Sequence, residues 1–332
     1  MKIVFSEDGR DFARRDWGSL VRNDPASTVF HTPQFLKLYW EAFGERPEHL
    51  LLAFGEAEDG AQLGAVAFER VRGTLRFLGG TEVTDYMGPV AAPGTEGAFA
   101  RELFAALDRR DDWSSADLRG LLENGPWLER LAGSASARGF SVEVVDDKNG
   151  VAPFISLPGS YDAYLAQLPA KLRHEIRRKA RRLEAEAGSY RITLAQEDTL
   201  KECLDRFVAL HRSSEGPKGV FLQPHMELFF RRLGEVFLPR GIFNLAFIET
   251  DGQKIAGTIG FRFEGTYYLY NSAFDREWRR LSPGMVLVAE DIRIAIEAGC
   301  AGFDLLKGDY GYKYRFGAHP RRVKRIIARR AG

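Results

Sequence analysis

A short run, Arg279-Arg280-Leu281-Ser282-Pro283-Gly284-Met285, has the make-up of an anion site. Ser-Pro-Gly opens the apolar-periodic segment MVLVAEDIRIAIEAG and so marks a helix N-terminus. There the first backbone N–H groups lack intrahelical partners and the helix dipole is positive, so a pyrophosphate is a fitting ligand. Arg279 and Arg280 stand just upstream to add charge to the same anion. Gly284 permits close backbone approach, which a Cβ would block. The same residues also read as plain punctuation, since proline is common at the first position of helices.

A second concentration of charge is AKLRHEIRRKARRLEAEAG, which holds Lys171, Arg173, Arg177, Arg178, Lys179, Arg181 and Arg182. Within it Leu172, Ile176, Ala180, Leu183 and Ala187 recur every three or four residues, which predicts a basic helix over 171–187 with one apolar stripe. Gly188 is its stop. Three uses of the basic face stay open: a solvated surface, a site for an anionic substrate (a phosphosugar, a nucleotide-linked sugar or an acyl-donor phosphate), or a grip on RNA. Interleaved aromatics for base stacking are absent, which weighs against RNA. The six histidines show no HxxxH or HxH spacing, and Cys203 and Cys300 lie in helix-like stretches, so no metal site and no disulfide is expected. Neither a Gly-x-Ser-x-Gly elbow nor a Gly-Lys-Ser/Thr phosphate loop occurs.

These motifs are positioned by a chain that repeats itself. AFGEAEDGAQLGAVAF (53–68) and AFIETDGQKIAGTIGF (246–261) align with Phe54 on Phe247, Glu56 on Glu249, Gly64 on Gly257 and Phe68 on Phe261, all at one offset. Each reads as strand, Asp-Gly turn, strand. Pro93-Gly94 then opens a helix followed by the strand ADLRG (116–120), and Pro283-Gly284 opens a helix followed by FDLLKG (303–308). The order hairpin, helix, strand occurs twice. With 332 residues, 45% hydrophobic and 28% charged, two globular domains are expected, 1–150 and 151–332. A net charge of +1 gives no global field toward nucleic acid or acidic membranes. The N-terminal apolar run is too short for a signal peptide and no window approaches a membrane span, so a cytoplasmic protein is expected.

Residues 266–318 resemble the acyl-CoA core of the GNAT superfamily, whose Arg/Gln-x-x-Gly-x-Gly/Ala loop wraps a pyrophosphate. Arg279 to Met285 is the corresponding stretch, with Ser282-Pro283 standing where the first glycine of the general motif falls. Three segments in order, KLRHEIRRKARRLE (171–184), Ser-Pro-Gly, and FDLLKGDYGYKYRFG (303–317), are more closely similar to bacterial CelD-type (cellulose-biosynthesis-like) acetyltransferases and to the Fem-type aminoacyltransferases of peptidoglycan synthesis. The resemblance implies an α/β (α+β) fold of tandem GNAT-like domains, each a mixed twisted sheet flanked by helices. The first copy, with Val90-Ala91-Ala92-Pro93-Gly94 and no basic residue at the matching loop, would scaffold the acceptor side.

The resemblance further implies an N-acyltransferase. It would move an acyl group from acetyl-CoA or another acyl-CoA to an amine of a sugar, amino acid or cell-envelope precursor, without a metal. The donor would lie along Ser272, Ala273 and Phe274 and the loop Arg279, Arg280, Leu281, Ser282, Pro283, Gly284 and Met285. Backbone N–H groups near Ser272 would face the developing oxyanion. Asp304 and Asp309 are candidates to orient or deprotonate the amine. Tyr310, Tyr312 or Tyr314 would protonate the thiolate. Lys307, Lys313, Tyr314, Arg173 and Arg177 would hold an anionic acceptor. Each has a plainer use: Asp304 as a cap or ion-pair partner, the tyrosines as edge packing, Lys313 and Arg315 as a solvated rim. Two rival functions are a Fem-type transferase using aminoacyl-tRNA and a non-catalytic ligand-binding protein of the same fold.

Overall fold

The computed structural model describes residues 1–44, 46–213 and 222–330. The chain divides into two compact units: Met1–Val151 with Arg321–Gly332, and Ala152–Pro320. Residues 321–332, expected with the second domain, belong to the first unit. The strand His319–Arg329 pairs antiparallel with a strand of that unit and buries Val323, Ile326 and Ala328 completely.

In the first unit β1 (Lys2–Ser6), β2 (Leu50–Glu56), β3 (Gln62–Val71) and β4 (Thr74–Phe77) form an antiparallel meander, with the short β5 (Val90–Ala91) against β3. β6 (Ser115–Leu122) is parallel to β4, and β7 (Ser141–Ser156) carries the chain onward. Helices α1 (Asp11–Arg14), α2 (Trp17–Asn23), α3 (Pro33–Phe43), α4 (Glu96–Asp108) and α5 (Leu128–Ala137) complete the unit. The stripe Phe99, Leu103 and Phe104 of α4 is buried against Leu51, Val66 and Phe68 of the sheet. A Cβ on Gly64 would sit 2.4 Å from the Phe99 ring, so only glycine lets α4 lie this close.

The second unit follows with α6 (Tyr161–Gln167), α7 (Ala170–Ala187), β8 (Tyr190–Leu194), α8 (Leu200–Arg212) and α9 (Pro224–Phe237). Then come β9 (Phe243–Thr250), β10 (Gln253–Phe263), β11 (Thr266–Phe274), α10 (Pro283–Glu297) and β12 (Gly302–Asp304). Its strand order is β7-β12-β11-β10-β9-β8, antiparallel except for the parallel pair β11–β12. The sequence repeat is therefore a structural one: hairpin β2–β3 then α4 and a strand parallel to β4, hairpin β9–β10 then α10 and a strand parallel to β11. The fold is α/β with mixed sheets flanked by helices, as the sequence predicts. Helix α7 spans the expected range and buries Ile176, Leu183 and Ala187 of its stripe, with Gly188 beyond it at φ 77°.

The strand expected over 303–308 instead runs Gly302–Asp304. Leu306 adopts φ 60°, the left-handed region that breaks a strand for any L-residue.

Candidate functional site

A 3-10 helix, Arg276–Leu281, leads from β11 to α10, its first turn capped by Asp275, whose carboxylate accepts from Glu277 N–H at 3.1 Å. Ser282, in the left-handed region at φ 55° and ψ 47°, ends that turn and starts α10. Its carbonyl accepts from Met285 N–H (3.0 Å) and Val286 N–H (3.3 Å). Its side chain makes no helix cap. Instead Ser282 Oγ accepts from Lys179 Nζ of α7 at 2.8 Å. The Lys179 ammonium is largely buried, and burial lowers its pKa. Glu175, one turn earlier on α7, lies 3.9 Å from Lys179 and 3.2 Å from Arg315. The three sequence motifs thus converge: the basic helix supplies Glu175 and Lys179, the Ser-Pro-Gly junction supplies Ser282, and the tyrosine-rich segment supplies Arg315.

Beside this junction β11 and β12 part. They pair from Thr266↔Gly302 to Tyr268↔Asp304 and no further, so Leu269–Phe274 runs on without its parallel neighbour. On the other side β11 stays paired with β10, across a bulge between Ile259 and Gly260. The N–H of Ser272 donates to Asn271 Oδ1 at 2.8 Å, so that donor, expected to face an oxyanion, is held by its neighbour's side chain. Phe274 reaches α10: a Cβ on Gly284 would lie 3.4 Å from its Cδ1.

Several expected site residues have structural work. Asp304 is buried, 1% exposed, and its Oδ1 accepts from Leu306 N–H at 2.8 Å, holding the turn that ends β12. Lys313, expected to hold an anionic acceptor or to sit on a solvated rim, is 3% exposed and donates to the carbonyls of Leu306 (2.7 Å) and Lys307 (2.9 Å). An ammonium is the strongest donor that could satisfy both acceptors of this irregular turn. Leu281 is buried in the core beside Leu183 and Leu287, so it supports the loop from below. Arg279 and Arg280 are exposed, Arg280 lying 3.7 Å from Glu186 of α7's last turn. Lys307 is half-buried.

Asp309 and Tyr310 are exposed, and Tyr314 O–H donates to Asp309, which pushes the phenol up to about 12. The Tyr310 and Tyr312 rings stack with centroids 6.3 Å apart, both open to solvent. Arg173 and Arg177 are not brought to the Ser282 junction. Asn271 and Glu175 were not singled out from sequence, and Lys179 only as one of the seven cations of the basic helix. For the two α7 residues a signal existed, because 175, 179, 182 and 186 fall in one line on a helix.

The matching helix end in the first unit has the opposite character. Gly94 N–H, just ahead of α4, donates to Glu96 Oε1 at 3.2 Å, so a carboxylate already occupies that N-terminus. A carboxylate in this position repels an added anion.

Residues 170–314, the span from the start of α7 to Tyr314, match the model of the acetyltransferase (GNAT) domain family. The chain carries a GNAT acetyltransferase domain. That domain contains α7, the Ser282 junction, the β11–β12 fork and the tyrosine-rich turn. Solved structures similar to the whole chain include FemX, at 11% identity and TM-score 0.69 over 98% of this chain and 97% of that one. A conserved protein of unknown function from Bacteroides thetaiotaomicron is 15% identical with TM-score 0.64, over 99% of this chain and 100% of that one. L-PGS from Bacillus licheniformis is 13% identical with TM-score 0.60, over 95% and 91%. At these identities the likeness is one of fold. No curated protein sequence matches the chain. Among the described residues no helix is long and apolar enough to cross a membrane, and no group of three or more His, Cys, Asp and Glu could hold a metal.

Proposed function

We propose that the GNAT domain transfers an acyl group from an acyl-CoA thioester, acetyl-CoA first among candidates, to a neutral amine on a sugar, amino acid or envelope precursor. The observation that carries this reading is the α10 N-terminus. It combines the positive end of the helix dipole and the Gly284 N–H, a largely buried ammonium from Lys179 and a glycine at the second helical position, beside a strand whose edge is open. Together these suit a diphosphate at the helix end and a pantetheine arm lying along Leu269–Phe274. Lys179, Arg279 and Arg280 would balance the phosphate charge. When bound, the donor supplies a thioester carbon for direct attack, with the amine nitrogen forming the new bond and the thiolate leaving. Tyr312, exposed in the segment that follows β12, is the proposed proton donor to that thiolate, and the Tyr314–Asp309 pair orients or accepts from the amine. Asp304, with its carboxylate committed to the turn, acts on position rather than on protons. The order of the three motifs is what supports a CelD-type enzyme in particular.

A second reading, a Fem-type transferase drawing on aminoacyl-tRNA, is favoured by one observation: the FemX-like fold extends over 98% of the chain. Thermal unfolding with acetyl-CoA, a longer acyl-CoA, free CoA and bulk tRNA separates the two. A ligand at one hundred times its Kd adds about 2.7 kcal/mol to the fold that binds it, a shift of several degrees. Stabilisation by the thioesters and CoA supports the proposal. Stabilisation by tRNA alone replaces it with the second reading, and no response to any of them leaves a binding protein of GNAT fold.

A further inference from the structure

Helix α7 has two charged flanks, one on each side of its apolar stripe. At about 100° per residue, Glu175, Lys179, Arg182 and Glu186 line the flank facing the Ser282 junction. There acids offset the cations: Lys179 lies 3.9 Å from Glu175 and Arg182 2.7 Å from Glu186. Arg173, Arg177 and Arg181 line the other flank. Among the described residues none of these three has an acidic partner; Arg173 reaches only the Leu165 carbonyl at 3.5 Å, and Arg181 only that of Arg177 at 3.4 Å. With His174 and Ala180 they border a groove of about 600 Å³.

Arg177 and Ala180 also border a half-open pocket of about 220 Å³ lined by α6, α7 and α10. Leu165, Ile176, Val286 and Ala289 give it apolar walls, and Asp162 and Glu290 bring carboxylates to it. Glu290 lies 3.5 Å from Arg293, whose guanidinium stacks 4.6 Å from the Tyr161 ring centroid, so the polar wall is a tied set of side chains.

We infer that this flank is a second ligand site, distinct from the donor junction, and that it takes a sugar phosphate. The phosphate would sit in the groove on the uncompensated arginines, where guanidinium groups bind it by charge-assisted pairs. The sugar ring would enter the pocket, its C–H faces on the apolar walls and its hydroxyl or amino groups donating to Asp162 and Glu290. The pocket is below the roughly 300–1,000 Å³ of drug-sized ligand sites, which suits a single ring and excludes a polymer. The inference does not depend on the nature of the acyl donor.

The test is calorimetric titration of the full chain with glucosamine 6-phosphate, with and without saturating CoA, alongside glucosamine, inorganic phosphate and tRNA. Glucosamine 6-phosphate should bind one-to-one, more tightly than either glucosamine or inorganic phosphate. Its affinity should fall roughly tenfold or more in R177Q/R181Q and stay unchanged in Lys179→Met and in saturating CoA. Both arginines are exposed, so the double variant should keep its unfolding temperature. Arg173→Ala gives an independent second variant with the same expected direction. Inorganic phosphate binding as tightly, affinity unchanged in R177Q/R181Q, or displacement by CoA would each overturn the inference. Tight tRNA binding lost in that same variant would replace it with a nucleic-acid surface. CoA affinity, titrated separately, reports on the donor site alone, so failure of one assignment is not failure of the other.

Discussion

At the scale of single residues, the proposed donor junction turns on Lys179 more than on the arginines that first draw the eye. Arg279 and Arg280 are solvated and screened, whereas Lys179 is largely buried 2.8 Å from Ser282 Oγ. Hydrogen bonds to charged groups contribute about 1.5–3 kcal/mol. Lys179→Met should therefore weaken CoA binding by roughly tenfold or more, while Arg280→Ala changes it little; equal effects in a titration would move the phosphates away from α7. Asp291 of α10 offers a second residue-scale prediction. It is fully buried, its Oδ1 facing the Tyr267 hydroxyl at 3.5 Å, and burial pushes its carboxyl from 3.8 up to about 8. Between those values the folded state keeps a proton that the unfolded chain has lost. This contribution to stability is full below about pH 4, declines as pH rises to about 8, and is flat beyond. Asp291→Asn should flatten that slope in denaturant titrations at pH 5 and pH 8; an unchanged slope would mean that Asp291 is charged in the fold.

At the scale of elements, legibility followed periodicity. The hairpins, α4, α7 and α10 announced themselves through apolar spacing and Asp-Gly or Pro-Gly punctuation, and their ranges hold within a few residues. The segment 304–316 did not, because nothing in it repeats. FDLLKG has the composition of a strand, yet Leu306 turns left-handed once Asp304 accepts its N–H. Lys313 looked like a surface residue by type, and its burial follows from two orphaned carbonyls that no sequence pattern displays. Lys313→Met should accordingly lower the unfolding temperature along with activity, whereas a substrate-binding lysine would alter KM without altering stability. The α10 start can be tested by volume. Gly284→Ala adds a Cβ at ordinary contact from Phe274 and should keep most CoA affinity. Gly284→Val forces branched carbon between Phe274 and the helix end and should abolish CoA binding while leaving the circular dichroism spectrum unchanged. Wild-type affinity in the valine variant would remove the diphosphate from this helix.

At the scale of the whole molecule, duplication produced two copies of one topology with opposite chemistry at the matching helix end, Glu96 in one and Lys179 with Ser282 in the other. That difference was partly visible in sequence, since Val90 to Gly94 lacks basic residues, but the carboxylate already seated on Gly94 N–H was not. Hydrogen exchange should show acetyl-CoA slowing amides within 152–320 around Ser282 and β11, with no protection at Gly94–Phe99. Protection at both ends would make the first copy a second nucleotide site.

The strand His319–Arg329 completes the unit to which Met1–Val151 belongs, although 169 residues separate the two segments in the chain. On the ribosome, the first unit waits with an open sheet edge at β6 while the second unit, contiguous in sequence, is made and free to fold. The first unit is thus expected to complete its sheet after the second, the reverse of the usual N-terminal-first order.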